Sequence, residues 1–261
     1  MIKPYYEKNG FTLYLGDCIS QLHAIGDDSV DLVFADPPYF LSDGSITCQN
    51  GKMVSVKKGD WDEIGDFKSR VEFNRQWIHE CRRILKPAGT IWISGTYHSI
   101  YICGYELLHQ DFRIINDICW YKPNAAPNLS RKCFTASHET LVWAIKDKLC
   151  NQYFDYQLMK MGPWHSDKLK VTDKQMRSVW SIPPPSVNEK RCGKHPTQKP
   201  LALLERILLS SSKENDLVVD PFNGSGTTGI AAFKLNRRYI GIDNDENYLK
   251  ITINRLSGEH L

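Results

Sequence analysis

The run Asp31-Leu32-Val33-Phe34-Ala35-Asp36-Pro37-Pro38-Tyr39-Phe40 constrains this chain more than any other. Its first half is short, apolar and rich in β-formers, the pattern of a strand buried on both faces. Proline cannot donate to a sheet ladder, so the strand stops at the Pro-Pro pair. Asp36 and Pro37 each precede a proline, which pushes both to extended geometry. The outcome is a stiff Asp-Pro-Pro-Tyr at the carboxyl end of a strand, where open α/β sheets place their ligands. A carboxylate and fixed carbonyls accept the two N–H bonds of an exocyclic amine, and a tyrosine ring stacks on a flat base. An ordinary strand end followed by a Pro-Pro turn has the same local sequence.

The rest of the chain alternates strands and helices. Phe11–Leu15 reads as a strand, Ile19–Ala24 as a short helix, and Phe67 to Leu85 as a helix stopped by Pro87-Ala88-Gly89. Strands follow at Thr90–Ser94, Arg113–Trp120 and Thr140–Ile145, with a helix at Ser99–Leu108. Leu201–Leu209 is an amphipathic helix. A strand at 217–219, a helix at Gly229–Leu235, a strand at Arg238–Ile242 and a last helix at Asp245–Leu256 complete the series. The pattern predicts a doubly wound, mostly parallel α/β sheet covered on both faces. Leu41 to Trp61 has no periodicity and follows the Asp-Pro-Pro-Tyr directly, so it is expected to be a mobile lid. Between Asp147 and Gly193 the alternation fails, and an inserted region is expected. The expected boundaries are 1–147 for one half of the domain, 148–192 for the insertion and 193–261 for the other half.

Charge supports that division. The chain carries a net +3, but residues 148–192 hold eight Lys and Arg against four Asp and Glu, so the remainder sums to −1. Residues 121–133 add three basic residues and no acid. Basic charge collected this way points to a polyanion partner, although a solvated loop surface would look alike. No apolar run is long enough to span a membrane, and the start of the chain has no signal-peptide core, so a cytoplasmic protein is expected. The eight cysteines form no C-x-x-C pair, which leaves no metal site to propose and reads as reduced thiols.

A second constellation lies at Asp220-Pro221-Phe222-Asn223-Gly224-Ser225-Gly226-Thr227-Thr228. It follows a strand and opens a helix, so backbone and free helix N–H groups can approach a ligand closely. Neither the phosphate-loop pattern nor the three-glycine dinucleotide pattern is present. One strand later comes Asp243, an acid placed to bind ribose hydroxyls. A ribose without phosphates suggests a zwitterionic nucleoside. A tight strand–helix turn beside a surface Asp is the plainer alternative.

Together these two stretches resemble the amino-methylating DNA methyltransferases that use S-adenosyl-L-methionine. The order here, with Asp36-Pro37-Pro38-Tyr39 first and the Gly-rich turn last, looks like the β group of that family. His195-Pro196-Thr197-Gln198-Lys199-Pro200 is similar to that group's motif on the cofactor's methionine side. Phe40-Leu41-Ser42 and Lys58-Gly59-Asp60-Trp61 look similar to the small adenine methylases of GATC-modifying systems. The resemblance implies a Rossmann-like methyltransferase fold with permuted motif order and an inserted target-recognition region. It implies that Asp36 and the Pro37 carbonyl, held by Pro38, accept from the target amine while Tyr39 stacks on the base. It gives the cofactor Asp36, Asp220, Phe222, Gly224, Ser225, Gly226 and Thr227, with Asp243 on the ribose and Thr197 and Lys199 on the carboxylate. Asp17 would lie near the cofactor adenine, although a plain turn Asp is an equal reading. Asn223 receives no role, and His195 could do no more than lead into the helix.

The implied activity is site-specific methylation of adenine N6 in DNA, within a restriction–modification system. The base must leave the duplex to be reached. Double- or single-stranded DNA is the expected partner, met by Lys122, Arg131, Lys132, Lys168 and Lys170. A homodimer and a cognate restriction endonuclease are further partners that the resemblance leaves open. Physics at the amine does not separate adenine N6 from cytosine N4, because both present two N–H donors. The adenine assignment rests on Asp-Pro-Pro-Tyr being the family's adenine-type form. A non-catalytic DNA-binding subunit of the same fold is the alternative from another class.

Overall fold

Residues 3–40, 46–49, 52–55, 66–125, 127–165, 167–193 and 195–258 are described by a computed structural model. The chain opens with a hairpin of Tyr6–Lys8 (β1) and Phe11–Leu15 (β2). Helix Cys18–Leu22 (α1) follows, capped by Asp17, and leads to the central strand Val30–Ala35 (β3). Ile46–Gln49 (β4) and Lys52–Ser55 (β5) then pair as a separate antiparallel hairpin. This corrects part of the stretch expected to lack regular structure. The rest of the expected lid, including Leu41, Ser42 and Lys58 to Trp61, lies outside the described residues.

Phe67–Ile84 (α2) starts at Asp66, whose Oδ1 accepts from the Ser69 amide at 2.9 Å, and ends on Arg82 and Arg83. Both ends complement the helix dipole. Leu85–Gly95 (β6) begins at once. Its register against β3 jumps from Val30↔Leu85 to Leu32↔Thr90, so Pro87 falls in a bulge where its missing N–H costs nothing. Ile100–His109 (α3), Arg113–Tyr121 (β7) and His138–Ile145 (β8) follow. Tyr156–Met161 (α4) and Val179–Ser181 (β9) lie in the 148–192 segment. The last third is Leu201–Ser211 (α5), Leu217–Asp220 (β10), Thr227–Lys234 (α6), Arg238–Asp243 (β11) and Glu246–Gly258 (α7).

Among the described residues the main sheet has the order β1-β2-β11-β10-β3-β6-β8-β7-β9. The five strands from β2 to β6 are all parallel, while β8 runs antiparallel to both its neighbours. The strands alternate between two apolar layers, as a sheet covered on both faces requires. Leu32 and Phe34 of β3 enter the layer with α5, α6 and α7, and Val33 and Ala35 enter the layer with α1, α2 and α3. Each large side chain fully buried there contributes roughly 1.5–3 kcal/mol.

The 148–192 segment is rooted in this frame. β9 extends the sheet beside β7, and Trp180 joins the core. Arg206 of α5 is buried against Asp167 at 2.6 Å, its guanidinium 5.0 Å from the Trp164 ring and 5.1 Å from the Trp180 ring. The central pair β3 and β10 divides the topology. From β10 the chain crosses to β11 on one side, and from β3 to β6 on the other. The crevice at their carboxyl ends is the switch point where such sheets bind ligands.

Candidate active site

Asp36 leaves β3 and Asp220 ends β10, so the two sequence constellations meet at that crevice. They line one cavity of about 400 Å³, together with Asp17, Phe73, His195, Thr197, Lys199, Asp243 and Tyr248. Among the expected residues Pro37, Pro38, Tyr39, Phe222, Gly224, Ser225 and Thr227 also line it. Gly226 does not. It faces α7, where a Cβ would sit 2.3 Å from Thr252.

At the β3 end the tetrapeptide is held by hydrogen bonds. The Tyr39 hydroxyl donates to Asp36 Oδ1 at 2.5 Å, and Lys199 Nζ donates to Asp36 Oδ2 at 2.6 Å. Lys199 also donates to the Tyr39 oxygen at 3.1 Å. Tyr39 is buried, and burial followed by the charge of Asp36 pushes its hydroxyl well above the ordinary tyrosine range. Lys199, expected to face a ligand carboxylate, lines the cavity, and its ammonium pairs with Asp36.

Two residues of this network carry no motif. Ser94, at the end of β6, lies 3.0 Å from the Tyr39 hydroxyl. Glu139 lies at the start of β8. Because β8 is antiparallel, its beginning stands at the edge where the parallel strands end. Glu139 Oε2 is 3.2 Å from the Tyr39 hydroxyl and 3.5 Å from Lys199 Nζ. Its Oε1 accepts from Lys122. Burial acts to raise the Glu139 carboxyl, but Lys199 and Lys122 outweigh it and bring it down to about 2. The available signal was an acid beside an otherwise apolar strand. Lys122, expected at a DNA surface, is thereby committed to this carboxylate.

At the β10 end the turn is shaped from within. Asp220 Oδ1 accepts from the Phe222 amide at 2.9 Å and Oδ2 from the Thr228 hydroxyl at 2.6 Å. Burial pushes Asp220 up to about 7. Asp243 Oδ2 accepts from the Gly224 amide at 2.7 Å, and burial raises Asp243 to about 6. Arg255 of α7 donates to the Ser225 carbonyl at 2.7 Å and to the Thr227 hydroxyl at 2.9 Å, bracing the turn from behind. Asn223 clamps the turn to Thr252, its Nδ2 2.9 Å from that hydroxyl. Asp17 caps α1 through the Ser20 amide at 2.9 Å while lining the cavity.

The lining suits a cationic nucleoside bearing an amino acid. Asp17, Asp36, Asp220 and Asp243 supply oxygen acceptors, and Phe222 and Phe73 supply an apolar wall. The Phe222 ring is fixed edge-on against Trp77, 5.3 Å between centroids. Cys18 also lines the cavity, but burial pushes its thiol up to about 12, so it stays protonated. Among the described residues no group of His, Cys, Asp or Glu is arranged to hold a metal.

The remaining basic residues stand apart from the cavity. Arg131, Lys132 and Lys168 are exposed, and Lys170 is folded onto the carbonyls of Val171 and Lys174. Arg131 and Lys132 sit in the connection between β7 and β8, which springs from the same edge as Asp36.

Known proteins resemble this chain in sequence and in fold. The chain is 50% identical over 259 residues to the Type II methyltransferase M2.LlaDCHI of Lactococcus lactis subsp. cremoris, which covers 98% of this chain and 93% of that protein. It is 50% identical to the Type II methyltransferase M2.DpnII of Streptococcus pneumoniae over 262 residues, 100% of this chain and 94% of that one. The crystal structure of the M1.HpyAVI–SAM complex superimposes with a TM-score of 0.64 at 26% identity, covering 94% of this chain and 98% of that one. Residues 30–254, from the central strand into the last helix, match the family model described as DNA methylase. A match that takes in both ends of the cavity and the strands between them means that this chain belongs to the DNA methylase family.

Proposed function

We propose that the protein is a site-specific DNA methyltransferase that places a methyl group from S-adenosyl-L-methionine on the exocyclic N6 of adenine. The observation that carries this reading is one cavity shared by Asp36 of the Asp-Pro-Pro-Tyr and by the Gly-rich turn with Asp243. An amine acceptor and a nucleoside cradle thus face each other across the switch point. Family membership and full-length similarity to Type II methyltransferases support DNA as substrate and a restriction–modification setting. A cognate restriction endonuclease and a second copy of the chain are the partners this reading adds.

The target adenine is turned out of the duplex into the Asp36 end of the cavity. Its amine is a weak nucleophile because the nitrogen lone pair is delocalised into the ring. Asp36 accepts one N–H and the Pro37 carbonyl the other, which favours a pyramidal nitrogen with a localised lone pair. Asp243 would hold the ribose of the cofactor, and Phe222 with the turn at Gly224 would line its methionine and adenosine parts. The bound cofactor supplies an activated methyl on a sulfonium, so the chain's task is alignment for an in-line displacement. The amine that takes the methyl would lose one proton to water, with Asp36 and the Pro37 carbonyl holding its N–H groups in place until then. Cys18, protonated and without a supporting base, takes no covalent part.

Nucleoside mass spectrometry tests the reading on DNA incubated with enzyme and methyl-labelled cofactor. Label in N6-methyladenine is expected with the wild type. The Asp36→Ala protein, folded by circular dichroism, is expected to lose on the order of a hundredfold or more in turnover. Label confined to N4-methylcytosine would overturn the assignment of the base.

A further inference from the structure

Four alternating charges run through the floor of the site. Asp36 pairs with Lys199, Lys199 approaches Glu139, and Glu139 pairs with Lys122. Both Asp36 oxygens are engaged, Oδ1 by the Tyr39 hydroxyl and Oδ2 by Lys199. An ammonium at 2.6 Å takes one lone pair of the carboxylate and its positive charge weakens the carboxylate as an acceptor for anything else. Asp36 is then a poor partner for the N–H of an amine that must be made nucleophilic. Lys199 is buried, so it cannot turn to water when something else claims Asp36. A buried cation left without an anion is strongly disfavoured.

Glu139 Oε2 answers this difficulty. It lies 3.5 Å from Lys199 Nζ, against 2.6 Å for Asp36 Oδ2, so a shift of about 1 Å on a flexible stem exchanges one partner for the other. We propose that Glu139 is a positioning residue that takes over Lys199 as the target amine reaches Asp36. The inference rests on the methyltransferase reading above. In the exchange Lys199 keeps an anion, Asp36 regains an uncommitted oxygen, and the four charges still sum to zero. Lys122 holds Glu139 in place through its other oxygen, so Oε2 is aimed at Lys199 rather than at solvent. Glu139 would touch neither the base nor the cofactor, since it is absent from the cavity lining.

Steady-state kinetics of Glu139→Gln, alone and combined with Lys199→Gln, test the proposal. Glu139→Gln should lower kcat at least tenfold, while KM for duplex DNA and the Kd for S-adenosylhomocysteine stay within twofold of wild type. In the Lys199→Gln background the same change should lower kcat by less than twofold, because the residue it acts through is gone. Wild-type kcat in Glu139→Gln overturns the proposal, as does the full tenfold loss repeated in the Lys199→Gln background. Glu139→Asp keeps the charge and shortens the reach. It should give an intermediate kcat, and it completes the same cycle if the Gln variant does not fold. A wild-type protein that transfers no methyl to DNA would sink the methyltransferase reading itself. An active wild type with an equally active Glu139→Gln sinks only the exchange.

Discussion

Asp220 carries a charge problem that binds site and stability together. It is buried without a cation beside it among the described residues, and the groups that donate to it are a hydroxyl and an amide. Burial, and to a lesser degree the charges of Asp36 and Asp243, lift it from 3.8 to about 7. A carboxyl raised on folding gives its full stabilisation below the unfolded value near 4 and loses it as pH rises through the folded value. The wild type should therefore lose stability between about pH 4 and 7 on account of this residue. Asp220→Asn cannot ionise and still accepts from the Phe222 amide. Urea unfolding without cofactor should show the variant more stable than wild type at pH 8, with the gap closing toward pH 5. An equal gap at both pH values would mean that the carboxyl ionises as it does in water. The residues legible in the sequence were those at strand ends, Asp36 and Asp220 each before a Pro and Asp243 one strand after the Gly-rich turn. Glu139 and Ser94 were not legible, because their place depends on which strands become neighbours and on β8 running backwards. The pairing of Lys199 with Asp36 spans 163 residues of sequence and had no local signal.

Elements divide in the same way. The parallel core was legible because apolar runs bounded by Gly, Pro and Asp report burial on both faces. Observed ends differ by a residue or two in α3, at Ile100–His109, but β6 starts at Leu85 rather than Thr90, because Pro87 is taken up in a bulge of the strand. The β4–β5 hairpin and β9 were not legible. Their strands are only three or four residues long, too short for a period to stand out, and β9 is placed by pairing with β7 rather than by its own three residues. The turn between β10 and α6 shows why glycine recurs there. Gly226 has φ +73, and an added Cβ would meet Thr252 at 2.3 Å, whereas at Gly224, φ +50, it would meet His195 at 3.2 Å. Left-handed backbone costs an ordinary residue roughly 1–2 kcal/mol. Gly226→Ala adds to this a clash with a side chain that is itself tied to Asn223. It should destabilise the protein by about 2 kcal/mol or more in urea unfolding, and by more than Gly224→Ala. A Gly226→Ala protein as stable as wild type would show that α7 can move away from the turn.

For the whole molecule the question is where a polyanion would lie. The cavity opens at one edge of the sheet, and the β7–β8 connection springs from that edge between Lys122 and Glu139. Lys122 is spent on Glu139, and Lys170 donates to backbone carbonyls, so neither cation is free to meet a phosphate. Arg131 and Lys132 are exposed on the connection, and beside them Phe134 is 99% exposed. An apolar ring held in water on the same connection as two exposed cations fits a strand whose stacking has been disturbed by base extrusion. Charge and ring should then separate in their salt dependence. Each phosphate contact contributes close to one unit to the slope of log affinity against log salt. Replacing Arg131 and Lys132 together by Ala should lower affinity for cognate duplex and reduce that slope by about two units. Phe134→Ala should lower affinity at every salt concentration by on the order of 1–3 kcal/mol with the slope intact, as loss of a stacked base does. Fluorescence anisotropy across a salt series with S-adenosylhomocysteine present reads both quantities. A slope unchanged in the double variant would move the DNA off this connection and toward the exposed Lys168 of the 148–192 segment.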